Sequence, residues 1–423
     1  MKPVFMSSLF RDIRERLAEM PVVDIHTHIN PEKPHAGKPE DIILYHYIVT
    51  ELATAGVSRN VLEKADMIEV FKRMELIKNT STYWCLIKIM NDLYGLSGEK
   101  LKPEDWSEVK RTIESTSKSP GWIDRILHRK IKTKKVFITL DYASPIPNYD
   151  PSIFVGGLRI DPLISRLSKE SIDKLGKVVD IQITTLGDLD ESLNGIFKVF
   201  SRRVKTVTVS LQPEDEFKLV NNEEVEDSLK RMVEGLPLRK QQFRRLSSYV
   251  MYKVANLCQE HNVAFQIMLG VRRPVPGASP PDYAIVAFNP NALTNYCKFL
   301  FSRFKDVKFD LILANSIQSH EIAVVAKNYS NVYFSGFWWY SFYPHIMREG
   351  LIERIQMLPR NKVNAFFSDA YVVEWIYGKT CLLKEQLAYV LADMVEHGYY
   401  DKAFSLEIAE DLLYKNPITI YQL

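Results

Sequence analysis

The stretch PVVDIHTHIN, residues 21–30, decides both the fold class and the chemistry that the chain suggests. Its apolar run, from Val22 to Ile25, predicts a short β-strand. Because side chains alternate between the two faces of a strand, His26 and His28 should point to the same side. Two imidazoles that converge at a strand end are typical of a metal site. Two polar side chains hydrogen-bonded to a loop would give the same spacing.

The composition is that of a globular protein with a large core. The chain has 423 residues, of which 46% are hydrophobic and 25% charged, enough for one large or two modest domains. A net charge of +3 is too small to favour nucleic acid or an acidic membrane surface, so we predict a small-molecule partner and leave a homo-oligomer open. The four scattered cysteines suit a reducing cytoplasm. No stretch approaches the roughly 20 apolar residues of a membrane span.

Eight short β-rich runs recur along a chain that is otherwise rich in helix-like patterns. The predicted strands are 22–26, 134–140, 153–159, 205–211, 262–269, 308–315, 331–337 and 362–369. Near-continuous apolar strands that alternate with helices favour a parallel sheet covered on both faces. A set of eight favours the α/β class and a (β/α)8 TIM-type barrel.

A long segment between the first two strands has helical rather than strand-like spacing. We predict a helical insertion after the first strand, placed to cover the mouth of the barrel, from the apolar residues Trp84, Leu86, Ile87, Met90 and Leu93. The chain then divides into an N-terminal helix with the first strand at 1–40, the insertion at 41–130, and the remainder of a metal-dependent barrel at 131–423.

The ends of the barrel strands predict where a metal would bind. Functional groups of such barrels lie at the C-terminal ends of the strands. His26 and His28 end the first strand and Asp369 ends the eighth, which is its neighbour once the barrel closes. Two imidazole nitrogens and one carboxylate suit zinc, or manganese or iron. We therefore predict one divalent metal ion, with zinc as the first choice.

Several motifs carry a family resemblance that extends, in order, over most of the chain. DIHTHINP resembles the first-strand motif of the amidohydrolase superfamily, and the whole chain resembles its uronate isomerase family. The other similar segments are LYHYIVTELATAGV at 44–57, GLRID around Arg159, GFWWY at 336–340, FFSDA around Asp369 and DLLYKNPITIY near the C-terminus.

The resemblance implies an activity and a set of site residues. The implied reaction is the aldose–ketose conversion of a hexuronate, of the D-glucuronate/D-fructuronate or D-galacturonate/D-tagaturonate type. It needs an acid/base group near the reacting carbons and an electrophile at the sugar oxygens. The implied catalytic residues are Asp369, Tyr47 and His46. The implied substrate-binding residues are Arg159, Arg273, Trp338 and Trp339. An extended chain would direct the two tryptophans to opposite sides, so we expect at least one to line the pocket.

Three departures from the family pattern keep other functions open. Thr50 and Tyr371 stand where the family has arginines, and Met268 stands where it has a fifth-strand histidine. The missing histidine argues for a single metal. The first alternative is a metal-dependent hydrolase of the same superfamily that acts on a small ester, lactone or amide. The second is a barrel that binds a sugar acid without catalysis. His320, beyond the sixth strand, is a weaker candidate ligand.

Overall fold

A sheet of eight parallel strands forms the centre of the computed structural model, which describes residues 7–97, 101–200 and 202–423. Its strands are β1 (Val22–Thr27), β2 (Thr133–Asp141), β3 (Phe154–Arg159), β4 (Val204–Ser210), β5 (Ala264–Leu269), β6 (Phe309–Leu313), β7 (Val332–Ser335) and β8 (Val363–Asn364). Each strand pairs in parallel with the next in chain order. All eight predicted strands are present.

The sheet closes into a barrel at the C-terminal ends of its first and last strands. The backbone N–H of Asp369 donates to the carbonyl of His26 at 3.1 Å, and that of His28 donates to the carbonyl of Ala370 at 2.8 Å. The segment after β8 therefore lies beside the end of β1. This arrangement confirms the predicted (β/α)8 barrel and places the predicted metal ligands together.

The eighth strand is shorter than predicted. Ladder pairing stops at Asn364, because the next backbone N–H, that of Ala365, donates to the carbonyl of Leu412 at 2.9 Å. The C-terminal segment thus takes the place of a strand partner between β8 and β1. The chain then continues without ladder pairing as far as Asp369.

Helices surround the sheet, and those between β1 and β2 form the predicted insertion. The insertion helices are Glu40–Ile43, His46–Thr54, Arg59–Glu63, Met67–Arg73, Ser81–Tyr94, Trp106–Ser117 and Trp122–Asp124, followed by the π-helical turn Arg125–Ile131. The other helices are Ser8–Glu19, Asp161–Ile164, Lys169–Val179, Leu186–Phe200, Asn222–Val233, Lys240–Glu260, Ala292–Tyr296, Ser319–Asn328, Pro344–Met357, Val373–Glu396, Lys402–Glu410 and Asn416–Tyr421. Among the described residues, no helix combines the length and hydrophobicity that a membrane crossing requires.

The boundaries at 40 and 130 between the three predicted units stay predictions. Residues 1–6, in the first of those units, and 98–100, in the insertion, lie outside the described residues.

A short antiparallel pair of strands follows β5 and encloses the loop that carries Arg273. The pair consists of Val271–Arg272 and Ile285–Val286.

One buried carboxylate ties the insertion to the barrel. Glu374, in helix Val373–Glu396, is fully buried and accepts four hydrogen bonds. The donors are the backbone N–H of Ala36, the hydroxyl of Tyr94 at 3.0 Å and the indole of Trp122 at 3.0 Å. A buried carboxylate is stable only when donors of this kind replace its water. Glu374 therefore fixes the insertion over the C-terminal end of the barrel.

Candidate active site

His26, His28 and Asp369 meet where β1 and the segment after β8 lie side by side. Each offers one ligand atom, and these three atoms lie within 4.8 Å of one another. Nε2 of His28 is 3.3 Å from Oδ1 of Asp369, and Nε2 of His26 is 3.9 Å from the same oxygen. The two imidazole rings stand nearly perpendicular, at 86°. Two nitrogens and one oxygen that converge in this way form a ligand set for a divalent metal ion.

The two oxygens of the Asp369 carboxylate have different surroundings. Oδ2 accepts hydrogen bonds from the indole of Trp338 at 3.2 Å and the hydroxyl of Tyr47 at 3.4 Å. Oδ1 is buried and accepts no hydrogen bond from any residue that the structure describes. A buried carboxylate oxygen without a donor is costly unless a cation or a ligand group completes its environment. The residues present therefore fit a metal ion at the Oδ1 side.

The charges of the site favour metal binding. Burial, reinforced by the neighbouring His28, lowers the pKa of His26 to about 4, so its imidazole is neutral at pH 7. Burial alone would raise the pKa of Asp369, but His28, Lys379 and His26 outweigh it and bring that pKa below its ordinary value. A neutral imidazole and an ionised carboxylate are the forms in which these side chains bind metal.

A partly enclosed pocket opens over the three converging side chains. Its lining combines charged, polar and aromatic groups, as small-molecule sites do. Eight of the nine predicted site residues line it, and Tyr47 is the one that does not. The lining residues are His26, His28, His46, Arg159, Asp161, Thr208, Ser210, Met268, Arg273, Asp282, Trp338, Trp339, Asp369 and Tyr371.

His46 and Tyr47 reach the site from the insertion, at the start of helix His46–Thr54. His46 lines the pocket, and its Nδ1 is buried without a hydrogen-bond partner. Burial lowers the pKa of His46 to about 3, so this ring is also neutral. Tyr47 is buried behind Asp369, where its hydroxyl contacts the carboxylate instead of lining the pocket. The structure thus places His46, not Tyr47, on the pocket wall.

The two predicted arginines differ in how firmly the protein already holds them. Nε of Arg159 donates to Oδ2 of Asp161 at 2.9 Å, and a second guanidinium nitrogen lies 3.4 Å from Oδ1. Arg273 makes one long contact, 3.5 Å from its Nη1 to Oδ1 of Asp282, and its Nε is buried without a partner. Arg159 is thus held by a two-point ion pair within the chain. Arg273 retains donors for a ligand.

Both tryptophans line the pocket, where at least one was expected, although an extended chain would direct them to opposite sides. The chain is not extended there, because Trp339 has a positive φ of 49° and begins a short 3-10 turn. The guanidinium of Arg273 lies 5.9 Å from the ring centre of Trp338 and 5.4 Å from that of Trp339. The two rings therefore support Arg273 as well as the pocket wall.

The architecture as a whole, eight strands in chain order with a helical insertion over the C-terminal end of the barrel, is similar to that of solved uronate isomerases. A glucuronate isomerase from Caulobacter crescentus superposes with a TM-score of 0.87 at 16% identity, over 98% of this chain and 94% of that one. A uronate isomerase from Thermotoga maritima superposes with a TM-score of 0.85 at 16% identity, over 98% of both chains.

Curated relatives show the same likeness in sequence. The uronate isomerase of Thermotoga neapolitana is 19% identical over an alignment of 450 positions, which covers 98% of this chain and 96% of the relative. No protein-family model matches the chain. The resemblance to uronate isomerases that the motifs indicated is confirmed by relatives and structures that match over the full length.

The departures from the uronate isomerase pattern have defined places in the structure. Thr50 donates to the carbonyl of Pro280 at 3.0 Å, which ties the insertion to the loop that carries Arg273. Tyr371 stacks on His28, with ring centres 5.2 Å apart. Met268 is the residue before the last of β5 and lines the pocket. These side chains fill or brace the pocket without offering a guanidinium or a metal-binding nitrogen.

Two acidic residues on the pocket wall were not predicted as site residues. Asp161 belongs to the GLRID motif and lies two residues after the end of β3, which are the sequence signals for it. Asp282 lies in an irregular loop that has no pattern of this kind. His320, the weaker candidate ligand, does not line the pocket. Its side chain is 73% exposed, and its Nδ1 lies 2.9 Å from Oε1 of Glu353.

Proposed function

We propose that this protein is a metal-dependent aldose–ketose isomerase that acts on a hexuronate, of the D-glucuronate/D-fructuronate or D-galacturonate/D-tagaturonate type. One observation carries the proposal: a single pocket is lined by the candidate metal ligands and by a guanidinium with donors to spare. The ligands are His26, His28 and Asp369, and the guanidinium is that of Arg273. A metal group and an anion-binding group in one pocket suit a substrate that has both hydroxyl oxygens and a carboxylate. The full-length likeness to uronate isomerases supports the same reaction.

The metal ligands in this proposal are His26, His28 and Asp369. A divalent ion bound there, with zinc first and manganese or iron as alternatives, would polarise and orient the oxygens of the sugar. The protein contributes the geometry, because Trp338 and Tyr47 hold Oδ2 of Asp369 and leave Oδ1 facing the two histidines.

Arg273 is the proposed partner of the substrate carboxylate. Its Nε has no acceptor in the described part of the chain, whereas Arg159 is already bound at two points by Asp161. A guanidinium can donate two parallel hydrogen bonds to a carboxylate, which fixes the direction of the sugar chain. The rings of Trp338 and Trp339 restrict the guanidinium plane and offer apolar surface to the sugar.

The proton transfers require groups that are in the correct protonation state near neutral pH. Conversion of aldose to ketose moves a proton from C2 to C1 and another from the C2 hydroxyl to the C1 oxygen. Asp369, which is ionised, is the proposed group that exchanges a proton with the carbons. Burial and the nearby Asp369 raise the pKa of Tyr47 well above its ordinary value, so its phenol stays protonated and donates to Asp369. The neutral ring of His46 is placed to bind a sugar hydroxyl.

The test is a ketose assay on metal-free and metal-restored protein. EDTA-treated protein should be inactive on D-glucuronate and D-galacturonate, and zinc or manganese should restore ketose formation. If metal-loaded protein yields no ketose but releases acid from a panel of esters, lactones and amides, the hydrolase alternative replaces the proposal. If it binds a hexuronate with no turnover of any substrate, the barrel is a binding protein.

A cytoplasmic location, the absence of nucleic-acid partners and the oligomeric state stay predictions.

A further inference from the structure

A buried lysine lies directly beneath the turn that carries Asp369. Lys379 is in helix Val373–Glu396, and the residue is 2% exposed. Its Nζ donates to the carbonyl of Ser368 at 2.6 Å and to the hydroxyl of Tyr45 at 2.8 Å. Both hydrogen-bond partners are neutral groups. An ammonium group buried against neutral partners is costly compared with an apolar side chain of similar length, so its presence calls for an explanation.

The contacts of Lys379 fix the backbone on both sides of the Asp369 α-carbon. Lys379 holds the carbonyl of Ser368 directly, and the hydroxyl of Tyr45 in turn donates to the carbonyl of Asp369 at 3.1 Å. Between these two carbonyls Asp369 adopts a positive φ of 56°, a left-handed conformation that side chains other than glycine seldom take. Such a conformation persists only where the surroundings determine it.

A second route leads from Lys379 to the Asp369 side chain. Nζ lies 4.4 Å from the ring centre of Tyr47, and the hydroxyl of Tyr47 contacts Oδ2 of Asp369. The same ammonium lies 5.0 Å from the ring centre of Tyr45. A cation placed against the aromatic faces favours one arrangement of both tyrosines. Lys379 therefore contacts three of the residues that orient Asp369: Ser368, Tyr45 and Tyr47.

We propose that Lys379 is a positioning residue of the site: through Ser368, Tyr45 and Tyr47 it aims Oδ1 of Asp369 at His26 and His28. Lys379 touches neither the pocket nor the proposed metal ligands through its own side chain. The kinetic part of this inference rests on the proposed isomerase function. Its effect on the geometry of a bound ion does not depend on which substrate is used.

The same helix offers a matched control. Lys384 is also buried, at 7% exposure, and its Nζ likewise donates to backbone carbonyls, at 2.8 Å to Met20 and 3.3 Å to Ala18. Those carbonyls belong to the N-terminal helix region and not to the site. Lys379→Met and Lys384→Met therefore remove the same chemical group from equally buried places, and only the first loses contact with the Asp369 turn.

The experiment uses the full chain loaded with Co(II), whose visible absorption reports ligand number and geometry. Lys379→Met is expected to change the Co(II) spectrum and to weaken Co(II) binding, measured by chelator competition, by about 10- to 100-fold. It should lower kcat for the hexuronate by a similar factor with little change in KM. Lys384→Met should keep the wild-type spectrum, affinity and kcat.

The outcomes separate this inference from the proposed function. A Lys379→Met protein with wild-type Co(II) spectrum and affinity would overturn the positioning role. If Lys379→Met does not fold, Tyr45→Phe decides, because it removes only the hydroxyl between Lys379 and Asp369 and keeps the ring stacked on Trp375. An unchanged Co(II) spectrum in Tyr45→Phe then counts against the inference. If wild-type protein binds Co(II) and forms no ketose, the proposed function fails while the spectral comparison still tests Lys379.

Discussion

Replacing each pocket arginine in turn gives the sharpest test of how the substrate is bound. Arg273→Ala should raise KM for the hexuronate and leave stability nearly unchanged, because its one ion pair among the described residues, with Asp282, is 3.5 Å long. Arg159→Ala should mainly lower stability, because it leaves the buried carboxylate of Asp161 without its cation. The same substitution is thus expected to act on binding at one position and on folding at the other.

The magnitudes follow from the contacts that each variant removes. A hydrogen bond to a charged group contributes about 1.5–3 kcal/mol, so loss of the Arg273 contact to a carboxylate should raise KM by about 10- to 150-fold. Arg159 is 31% exposed, and the backbone N–H of Ser210 still donates to Asp161 at 3.1 Å after the substitution. The free energy of unfolding should therefore fall by about 1–3 kcal/mol, below the range for a fully buried ion pair.

The assay pairs steady-state ketose formation with denaturant unfolding of the same metal-loaded preparations. Arg273→Lys is the control, because it keeps the positive charge but loses the planar fork, and its KM should lie between those of wild type and Arg273→Ala. An Arg273→Ala protein with wild-type KM, together with an Arg159→Ala protein whose KM rises without loss of stability, would refute this assignment of roles.

Three further predictions concern the metal, the proton transfer and the fold. His26→Ala should remove metal and activity together and leave the fold intact; elemental analysis that still finds stoichiometric metal would contradict its role as a ligand. Tyr47→Phe should lower kcat by about 2- to 10-fold without loss of metal, since it removes one hydrogen bond to Asp369. Glu374→Ala should lower the free energy of unfolding by about 3 kcal/mol or more, because three buried groups lose their acceptor.

Glu374 also gives a prediction about pH. Burial raises the pKa of Glu374 above its ordinary value, although the donors Trp122, Ala36 and Tyr94 partly oppose this. A group whose folded pKa is raised contributes stability that is present below its unfolded pKa and is lost as the pH rises through its folded pKa. Glu374→Gln should remove this loss, so its unfolding free energy should decline less than that of wild type on going from acid to neutral pH. If the unfolding free energies of wild type and Glu374→Gln change equally with pH, the pKa of Glu374 does not differ between the folded and unfolded states.

Much of the barrel and of the metal group was predictable because both depend on local pattern. Strands buried on both faces are short apolar runs, and these mark all eight barrel strands in the sequence. The alternation of side chains along β1 places His26 and His28 together, and the order of the strands brings Asp369 beside them. The roles assigned to these residues, and to His46, Tyr47, Arg159, Arg273, Trp338 and Trp339, stay predictions.

What the sequence by itself determined is the order of the elements and the types of residue at the strand ends, since periodicity and turn composition act over a few neighbouring residues. Only the tertiary structure decided which side chains are free to act. The pairing of Arg159 with Asp161, the availability of Arg273 and the position of Lys379 beneath Asp369 depend on contacts between segments far apart in the chain. The free energy of such contacts is set by burial and distance, which arise only when the barrel closes.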